Sequence, residues 1–309
     1  MVGFVLAAAI TVWAQEPALR LESNLITVDF AAVDQAGHYV TDLTVDEIEV
    51  YHDGGRRPVA LFDAQIERAT TRALAVVFAL DMSESIGQQI ADQQSAARQF
   101  INLVRRDSVF AVLGFNDKMH LFQKFTNKPE LIARAFAKAE ALGGRTRLYD
   151  ALDRAITMLT RDVAEFRGGS RLRRVVVVFT DGFDYTSTIG RKELIRRANN
   201  AGATVYSMTV PSFYMSVSGR QRAPTLLDAS GIVAATGGRD FSTEEKDFTP
   251  IFRALAEEIR AGYAVGYYPP TRDLRDGRYH EISIITTRPG IVVRQSRPGY
   301  LARESEQVR

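Results

Sequence analysis

The sequence predicts an α/β protein with a doubly wound, mostly parallel sheet, plus a small β-domain formed from the N- and C-terminal segments. The first observation is that four segments are apolar on both faces, as strands buried between two helical layers must be. The second is that helical patterns separate these segments, and the third is that both ends of the chain have short alternating strand patterns. The four buried segments are LAVVFAL at 74–80, VFAVLGF at 109–115, VVVVF at 175–179 and TVYSMTV at 204–210.

Apolar residues recur on one face of five further segments, which we therefore predict to be amphipathic helices. The predicted helices cover about 86–104, 131–139, 148–164, 192–201 and 248–261. Gly202 is the expected stop of the fourth helix. Buried strands that alternate with such helices imply right-handed crossovers and parallel pairing, so the doubly wound part is expected to cover about 72–262.

The two ends of the chain have a different pattern. Short β-rich segments occur at 24–33, 47–51, 58–62, 263–268, 279–287 and 291–295. A C-terminal segment of about 40 residues is too small to fold readily by itself. We therefore expect the N-terminal segment 20–70 and the C-terminal segment 263–301 to pack as one β-domain, with the α/β domain inserted between them.

Composition excludes several function classes. The chain has 309 residues, and 39 Lys and Arg against 37 Asp and Glu leave a net charge of only +2. This charge is too small to predict a nucleic-acid partner. The sequence has no cysteine, which excludes disulfides, thiolate metal sites and a catalytic thiol. Any metal site must use oxygen or imidazole ligands.

The N-terminus has the pattern of a secretory signal peptide. An apolar stretch over 2–13 is shorter than the ~20 residues that span a bilayer, and a small residue, Ala14, precedes the polar pair Gln15 and Glu16. We expect residues 1–14 to be a signal peptide cleaved after Ala14. The mature protein would then be periplasmic or extracellular, with no membrane span. The alternative is a short buried N-terminal helix, since no Lys or Arg precedes the apolar stretch.

Three polar clusters follow predicted strands or precede a predicted helix at one edge of the sheet. They are Asp81-Met82-Ser83-Glu84-Ser85, Gly143-Gly144-Arg145-Thr146 and Thr180-Asp181-Gly182. Ligands of open α/β sheets bind at the carboxyl ends of the strands, so we expect all three clusters to meet there. Residues two apart in an extended segment project to one side, which lets Asp81, Ser83 and Ser85 converge.

Together with Thr146 and Asp181, these residues offer five side-chain oxygen ligands. Hard divalent cations, Mg²⁺ or Mn²⁺, prefer such ligands. Only two of the five ligands are charged, so the ion would stay electrophilic. The set therefore predicts a metal site that captures an acidic group of another molecule.

These residues resemble the metal-ion-dependent adhesion site of the von Willebrand factor type A family, which has D-x-S-x-S, a distant Thr and a distant Asp. The matching segments are DMSES at 81–85, GGRT at 143–146 followed by LYDAL, and FTDG at 179–182. The resemblance covers roughly 72–262. The flanks VTDLTVDEIEVYHDGGRRPVALF at 40–62, YAVGYYP at 263–269 and RPGY at 297–300 look like the exported bacterial group in which this domain lies between β-segments.

The resemblance implies that Asp81, Ser83, Ser85 and Thr146 bind the ion directly or through water, and that Asp181 does the same. It also implies that the ion bridges to a Glu or Asp carboxylate of a protein partner. The alternative for Asp81, Ser85 and Thr146 is helix capping, and for Asp181 a simple turn. At the level of function, the alternative is a structural envelope protein in which the ion only stabilises the loops.

An enzyme is not expected. The common catalytic motifs are absent, and the four histidines, His38, His52, His120 and His280, lie far apart in the sequence. A phosphotransferase with Asp81 as nucleophile would need a second acid two residues later, where the chain has Ser83. We expect Asp150 to be a helix surface acid and Asp184 a loop acid; the alternative is that each supports the ligands of the metal site. The segment 211–224 is predicted to be a long loop, with a partner contact as one alternative.

Overall fold

The structure, a computed structural model, describes most of the chain. The described residues are 24–64, 73–83, 100–103, 108–139, 143–163, 166–167, 170–209, 213–216, 219–222, 227, 230–242 and 249–302. The predicted signal peptide, Glu84, Ser85 and most of the predicted helix 86–104 lie outside these residues, although 100–103 are helical. Within the described part, no helix combines the length and the apolar character that crossing a membrane requires.

The described elements alternate between strands and helices through the middle of the chain. The strands are β1 Ile26–Val33, β2 Ile48–His52, β3 Gly55–Arg57, β4 Leu61–Ala64, β5 Leu74–Asp81, β6 Val109–Phe115, β7 Met119–Thr126, β8 Phe166–Arg167, β9 Ser170–Arg171, β10 Arg173–Thr180, β11 Ala203–Thr209, β12 Phe213–Ser216, β13 Gly219–Arg222, β14 Asp240–Ser242, β15 Tyr263–Tyr267, β16 Tyr279–Thr286, β17 Val292–Gln295 and β18 Gly299–Leu301. The α-helices are α1 Pro129–Lys138, α2 Leu148–Arg161, α3 Arg191–Ala201, α4 Ile232–Ala235 and α5 Thr249–Arg260, and short 3₁₀ turns occur at Val45–Glu47 and Thr271–Leu274.

The central sheet has six strands in the order β14-β11-β10-β5-β6-β7. All neighbours are parallel except β7, which runs antiparallel to β6. This sheet confirms the predicted α/β fold class with its mostly parallel sheet. In the register of β5 and β10, Leu80 lies opposite Phe179, so both strands end at the same level.

Two edge strands of this sheet, β7 and β14, were not predicted. The side chains of β7 are half-buried or exposed along its whole length, because the strand lies at the edge of the sheet. Its sequence, MHLFQKFT, therefore lacks the two-faced apolar pattern of the central strands. The predicted loop 211–224 also contains a hairpin, in which β12 pairs with β13.

Apolar residues pack on both faces of the central sheet, as the sequence predicts. Along β5, Val76, Phe78 and Leu80 belong to the cluster that contains residues of α1 and α5. The alternate residues Val77 and Ala79 belong to the opposite cluster, with residues of α2 and α3. Helix α3 ends at Gly202, whose left-handed φ of +60° is readily adopted by glycine.

The N- and C-terminal segments form two further antiparallel sheets, which confirms the second part of the predicted fold class. Their strand orders are β17-β1-β15-β4 and β18-β16-β2-β3. Strands from opposite ends of the chain pair directly, with Val28 opposite Val265 and Tyr51 opposite Ser283. One apolar cluster lies between the sheets; its members include Val28, Phe30, Ile48, Val50, Tyr263, Val265, Ile282 and Ile284.

One strand of this region differs from the prediction. A strand over 58–62 is expected from the sequence, but residues 58–60 lie between β3 and β4. Pro58 has no backbone N–H to donate to a neighbouring strand, which accounts for the interruption. The predicted strand is thus shifted along the chain and corresponds to β4, which begins only at Leu61.

Candidate functional site

Asp81 is the last residue of β5 and the centre of the predicted site. Its side chain is fully buried. Oδ1 accepts a hydrogen bond from the Ser83 backbone N–H at 2.9 Å, and Oδ2 accepts one from the Thr180 hydroxyl at 2.7 Å. The carboxylate is therefore held in one orientation by residues that follow β5 and end β10.

The electrostatics around Asp81 suit a cation. Burial, with a smaller contribution from the negative charge of Asp181, raises the pKa of the Asp81 carboxyl to about 6, although the hydrogen bonds from Ser83 and Thr180 act in the opposite direction. The charge of Asp181 therefore disfavours the ionised form of Asp81. A divalent ion between them would relieve both the repulsion and the unfavourable burial of charge, so the residues present fit a metal site.

Asp181 follows β10 directly, in the turn that the sequence predicted. Its Oδ1 accepts a hydrogen bond from the Phe183 backbone N–H at 3.3 Å. The next residue, Gly182, has a φ of +84°, a value that favours glycine. The N–H of Gly182 donates to the Thr180 hydroxyl at 3.0 Å, and its carbonyl accepts from Leu227 at 3.0 Å. The turn therefore joins Asp181 to the same network as Asp81.

Thr146 is also buried, with 2% of its surface exposed. Its carbonyl accepts a hydrogen bond from the Tyr185 backbone N–H at 3.0 Å, which ties its loop to the segment after Asp181. Helix α2 begins two residues later, and its N-cap is Arg147, without a side-chain capping bond. Thr146 is therefore not the capping residue of this helix.

The structure adds one residue that sequence reasoning missed. Asn116 follows β6 at the same edge, and its side-chain amide donates to the Gly143 carbonyl at 2.9 Å. Its backbone carbonyl accepts from the Arg147 N–H at 3.1 Å. Asn116 thus fixes both ends of the loop that carries Thr146. Its position directly after a buried strand was the available signal.

Asp150 and Asp184 are not the solvated acids that the sequence suggested. Asp150 accepts hydrogen bonds from the backbone N–H groups of Thr188 and Ile189, each at 3.0 Å. Asp184 accepts from the Tyr149 N–H at 3.4 Å and from the Ser187 hydroxyl at 2.5 Å. Together they attach the start of α2 to the segment after β10.

The structure thus brings segments containing four predicted ligands, Asp81, Ser83, Thr146 and Asp181, to one edge of the sheet. The fifth, Ser85, lies outside the described residues. Asp81 and Asp181 interact electrostatically, Ser83 hydrogen-bonds to Asp81, and Thr146 belongs to a loop that is bonded to both neighbouring strand ends.

Comparison with known protein families gives one match. The sequence profile of the von Willebrand factor type A domain matches residues 76–183. This range begins inside β5 and contains the three segments that form the edge described above. A comparison with curated proteins finds no match.

Solved structures of low sequence identity align with this chain. A von Willebrand factor type A protein from Catenulispora acidiphila aligns with 12% identity and a TM-score of 0.50, over 92% of this chain and 76% of that protein. An aerotolerance-related membrane protein from Bacteroides fragilis aligns with 14% identity and a TM-score of 0.47, over 60% and 98%. The mussel byssus proximal thread matrix protein 1, with a zinc-occupied adhesion motif, aligns with 16% identity and a TM-score of 0.48, over 63% and 47%.

Proposed function

We propose that this chain, which contains a von Willebrand factor type A domain, is a protein-binding module that captures an acidic side chain of its partner through a divalent cation. Asp81, Ser83, Ser85, Thr146 and Asp181 would hold the ion. The observation that carries the proposal is the fully buried carboxylate of Asp81, which the Thr180 hydroxyl joins to the turn of Asp181 at the carboxyl edge of the sheet.

The kind of ligand atom supports Mg²⁺ or Mn²⁺. All five side chains offer oxygen, and hard cations of this type keep coordination positions for water or for a carboxylate from another molecule. The chain's own residues orient Asp81 through Ser83 and Thr180 and fix the Thr146 loop through Asn116. A partner carboxylate of Glu or Asp would complete the site.

The proposal includes export and excludes catalysis and nucleic-acid binding. Export is supported by the apolar stretch and small residue at 2–14, and the near-neutral net charge of +2 argues against a polyanion partner. The site is built from carboxylate and hydroxyl side chains, and the sequence has none of the common catalytic motifs, which supports a binding role. We therefore place the chain in the periplasm or outside the cell.

Metal binding is tested first, with Mn²⁺ alone as the probe. We expect isothermal titration calorimetry of the full chain to detect Mn²⁺ binding that Mg²⁺ competes for. Asp81→Asn should abolish this binding. Asp46→Asn is the matched control, since Asp46 is an exposed acid of the β-domain. This variant should bind Mn²⁺ as the wild type does. Equal binding by both variants would refute the ligand assignment.

Partner binding needs a second experiment. The immobilised chain is exposed to an envelope extract in Mg²⁺ and in chelator, and circular dichroism checks that the fold is the same in both. Capture that disappears in chelator and in Asp81→Asn supports the proposal. Capture that is unchanged under both conditions would support the alternative, a structural protein whose ion only stabilises the loops.

A further inference from the structure

Two histidines that are far apart in the sequence stack on each other in the β-domain. His52 ends β2, and His280 is the second residue of β16. His52 lies opposite Ile282, so His280 is its diagonal neighbour on the same face of the sheet. The ring centroids are 5.0 Å apart with an interplanar angle of 18°, and each residue is only 4% exposed.

Two carboxylates complete a cluster around these rings. His52 Nε2 lies 3.1 Å from Asp273 Oδ2 and 3.6 Å from Asp53 Oδ2. His280 Nδ1 lies 2.7 Å from the same Asp53 oxygen. One donor atom from each of the four residues lies within 4.8 Å of the other three. No other group of this kind with three or more such residues occurs in the described part of the chain.

The remaining polar atoms of the two histidines are held by neighbours outside the cluster. His52 Nδ1 lies 3.0 Å from the Tyr267 hydroxyl, and His280 Nε2 lies 3.0 Å from Asp276 Oδ1. Metal-binding histidines typically use one ring nitrogen for the ion and the other for a hydroxyl, carboxylate or carbonyl that orients the ring. Both histidines of this cluster have that arrangement.

The two carboxylates are oriented in the same way. Asp53 Oδ1 accepts the Glu281 backbone N–H at 2.7 Å, and Asp273 Oδ1 accepts the Arg272 guanidinium at 3.1 Å. Each carboxylate therefore directs one oxygen to a neighbour and the other to the histidines. Asp53 has a φ of +48°, the one positive value among the described non-glycine residues. Aspartate tolerates this conformation better than most residues, and it places the side chain over the cluster at the β2–β3 turn.

The donor set determines the class of ion. Two neutral imidazoles and two carboxylates carry a charge of −2, which a divalent ion neutralises. Imidazole ligands suit zinc and its neighbours among the transition metals, whereas Mg²⁺ prefers oxygen alone. Four protein ligands, three of them buried, match a closed site of structural type.

We propose that His52, Asp53, Asp273 and His280 form a structural site for a divalent transition metal, with Zn²⁺ as the best match. The site would join the β2–β3 turn, the turn Thr271–Leu274 and the start of β16, and so connect segments from both ends of the chain. It shares no residue with the edge of the central sheet and does not depend on the function proposed for that edge.

The test uses the full chain with Zn²⁺ and with Co²⁺, whose visible absorption reports coordination by nitrogen and oxygen. Excess Mg²⁺ is present to occupy the edge of the central sheet. We expect the wild type to retain one Zn²⁺ per chain after dialysis, measured by mass spectrometry of the metal, and to give the strong absorption of four-coordinate Co²⁺. Asp53→Asn and His280→Gln should lose both signals.

Three further variants make the test specific. His38→Gln is the matched control, because His38 is an exposed histidine 3.3 Å from Asp34 in the same β-region, and it should retain Zn²⁺. Asp81→Asn should retain Zn²⁺ as well, which separates this proposal from the proposed function. Tyr267→Phe removes only the hydroxyl that orients His52 and should weaken Zn²⁺ binding by about 10- to 100-fold.

The opposite results would overturn the proposal. If the wild type, folded by circular dichroism, releases Zn²⁺ as readily as Asp53→Asn, the four side chains form a hydrogen-bonded network and no metal site. An octahedral Co²⁺ spectrum in the wild type would also overturn the proposal, because the proposed site is four-coordinate. Should His280→Gln fail to fold, Asp53→Asn decides, since asparagine also tolerates a positive φ and the Asp53 side chain is partly exposed.

Discussion

The carboxyl edge of the central sheet and the histidine cluster of the β-domain are two polar sites with different construction. The edge offers carboxylates and hydroxyls from the ends of parallel strands and from the loop that precedes α2. The cluster offers imidazoles on paired antiparallel strands and carboxylates from two turns, and each of these side chains has an outer hydrogen-bond partner. The difference separates an open site, suited to an exchangeable ligand, from a closed site, suited to holding the fold together.

The largest expected effect is on the metal-dependent shift in Tm, which should distinguish the two sites because each prefers a different metal. An ion at ~100 times its dissociation constant that binds only the folded chain stabilises it by about 2.7 kcal/mol, a shift of several degrees in Tm. We expect Asp81→Ala to lose the Mg²⁺-dependent shift and keep the Zn²⁺-dependent one, and Asp53→Asn to do the reverse. Thermal melts with each metal and with chelator measure both shifts. Loss of both shifts in either variant would mean that the two sites are not independent.

A smaller effect sharpens the description of the edge. Asn116→Ala removes the hydrogen bonds of the side chain to the Gly143 carbonyl and the Lys118 N–H. Two lost bonds at a buried residue predict a destabilisation of about 2 kcal/mol in urea unfolding. Mn²⁺ affinity should fall as well, because the Thr146 loop is then less fixed, while Zn²⁺ retention should not change. Unchanged Mn²⁺ affinity would show that the Thr146 loop does not depend on Asn116.

The smallest effect concerns pH and the β-domain. Hydrogen bonds from Arg288 and from Thr44 lower the pKa of Glu47 to about 2. A lowered carboxyl pKa gives stability that is present above the ordinary value near 4.3 and is lost as the pH falls through about 2.

Glu47→Gln tests this contribution. The variant should be slightly less stable than the wild type at pH 7, and the difference should shrink towards pH 2, as measured by urea unfolding at both pH values. The difference is small because both side chains of the pair stay partly accessible to solvent, which screens their interaction. A difference at pH 2 that is as large as at pH 7 would mean that Glu47 acts through packing rather than through its charge.

The sequence predicts the edge well because its residues adjoin the strongest patterns in the chain. A strand that is buried on both faces has recognisable ends in the sequence, so the amino-acid pattern alone places Asp81 and Asp181 at one edge. Edge strands such as β7 are half-exposed and lack this pattern. Asn116 was missed because a single polar residue after a strand is common in turns.

The histidine cluster could not be predicted in the same way. Asp53 and His280 are 227 positions apart, and their contact depends on the register of β2 against β16. A shift of one residue would turn His280 to the opposite face of the sheet. In the sequence, the separation of the histidines counted only against an enzyme, and antiparallel pairing of the two ends of the chain is what brings His52 and His280 together.

The pairing of Ala64 in β4 with Tyr263 in β15 has a mechanical consequence. These two strands are where the polypeptide leaves and rejoins the β-domain, and β5 starts at the end of the central sheet remote from Asp81. A force applied at the edge that holds Asp81 would act along β5 and would pull on β4 and β15, which are hydrogen-bonded to each other. Strands that are pulled along their length separate only when several hydrogen bonds break together. The paired strands β4 and β15 would therefore resist unfolding of the terminal sheets under such a force.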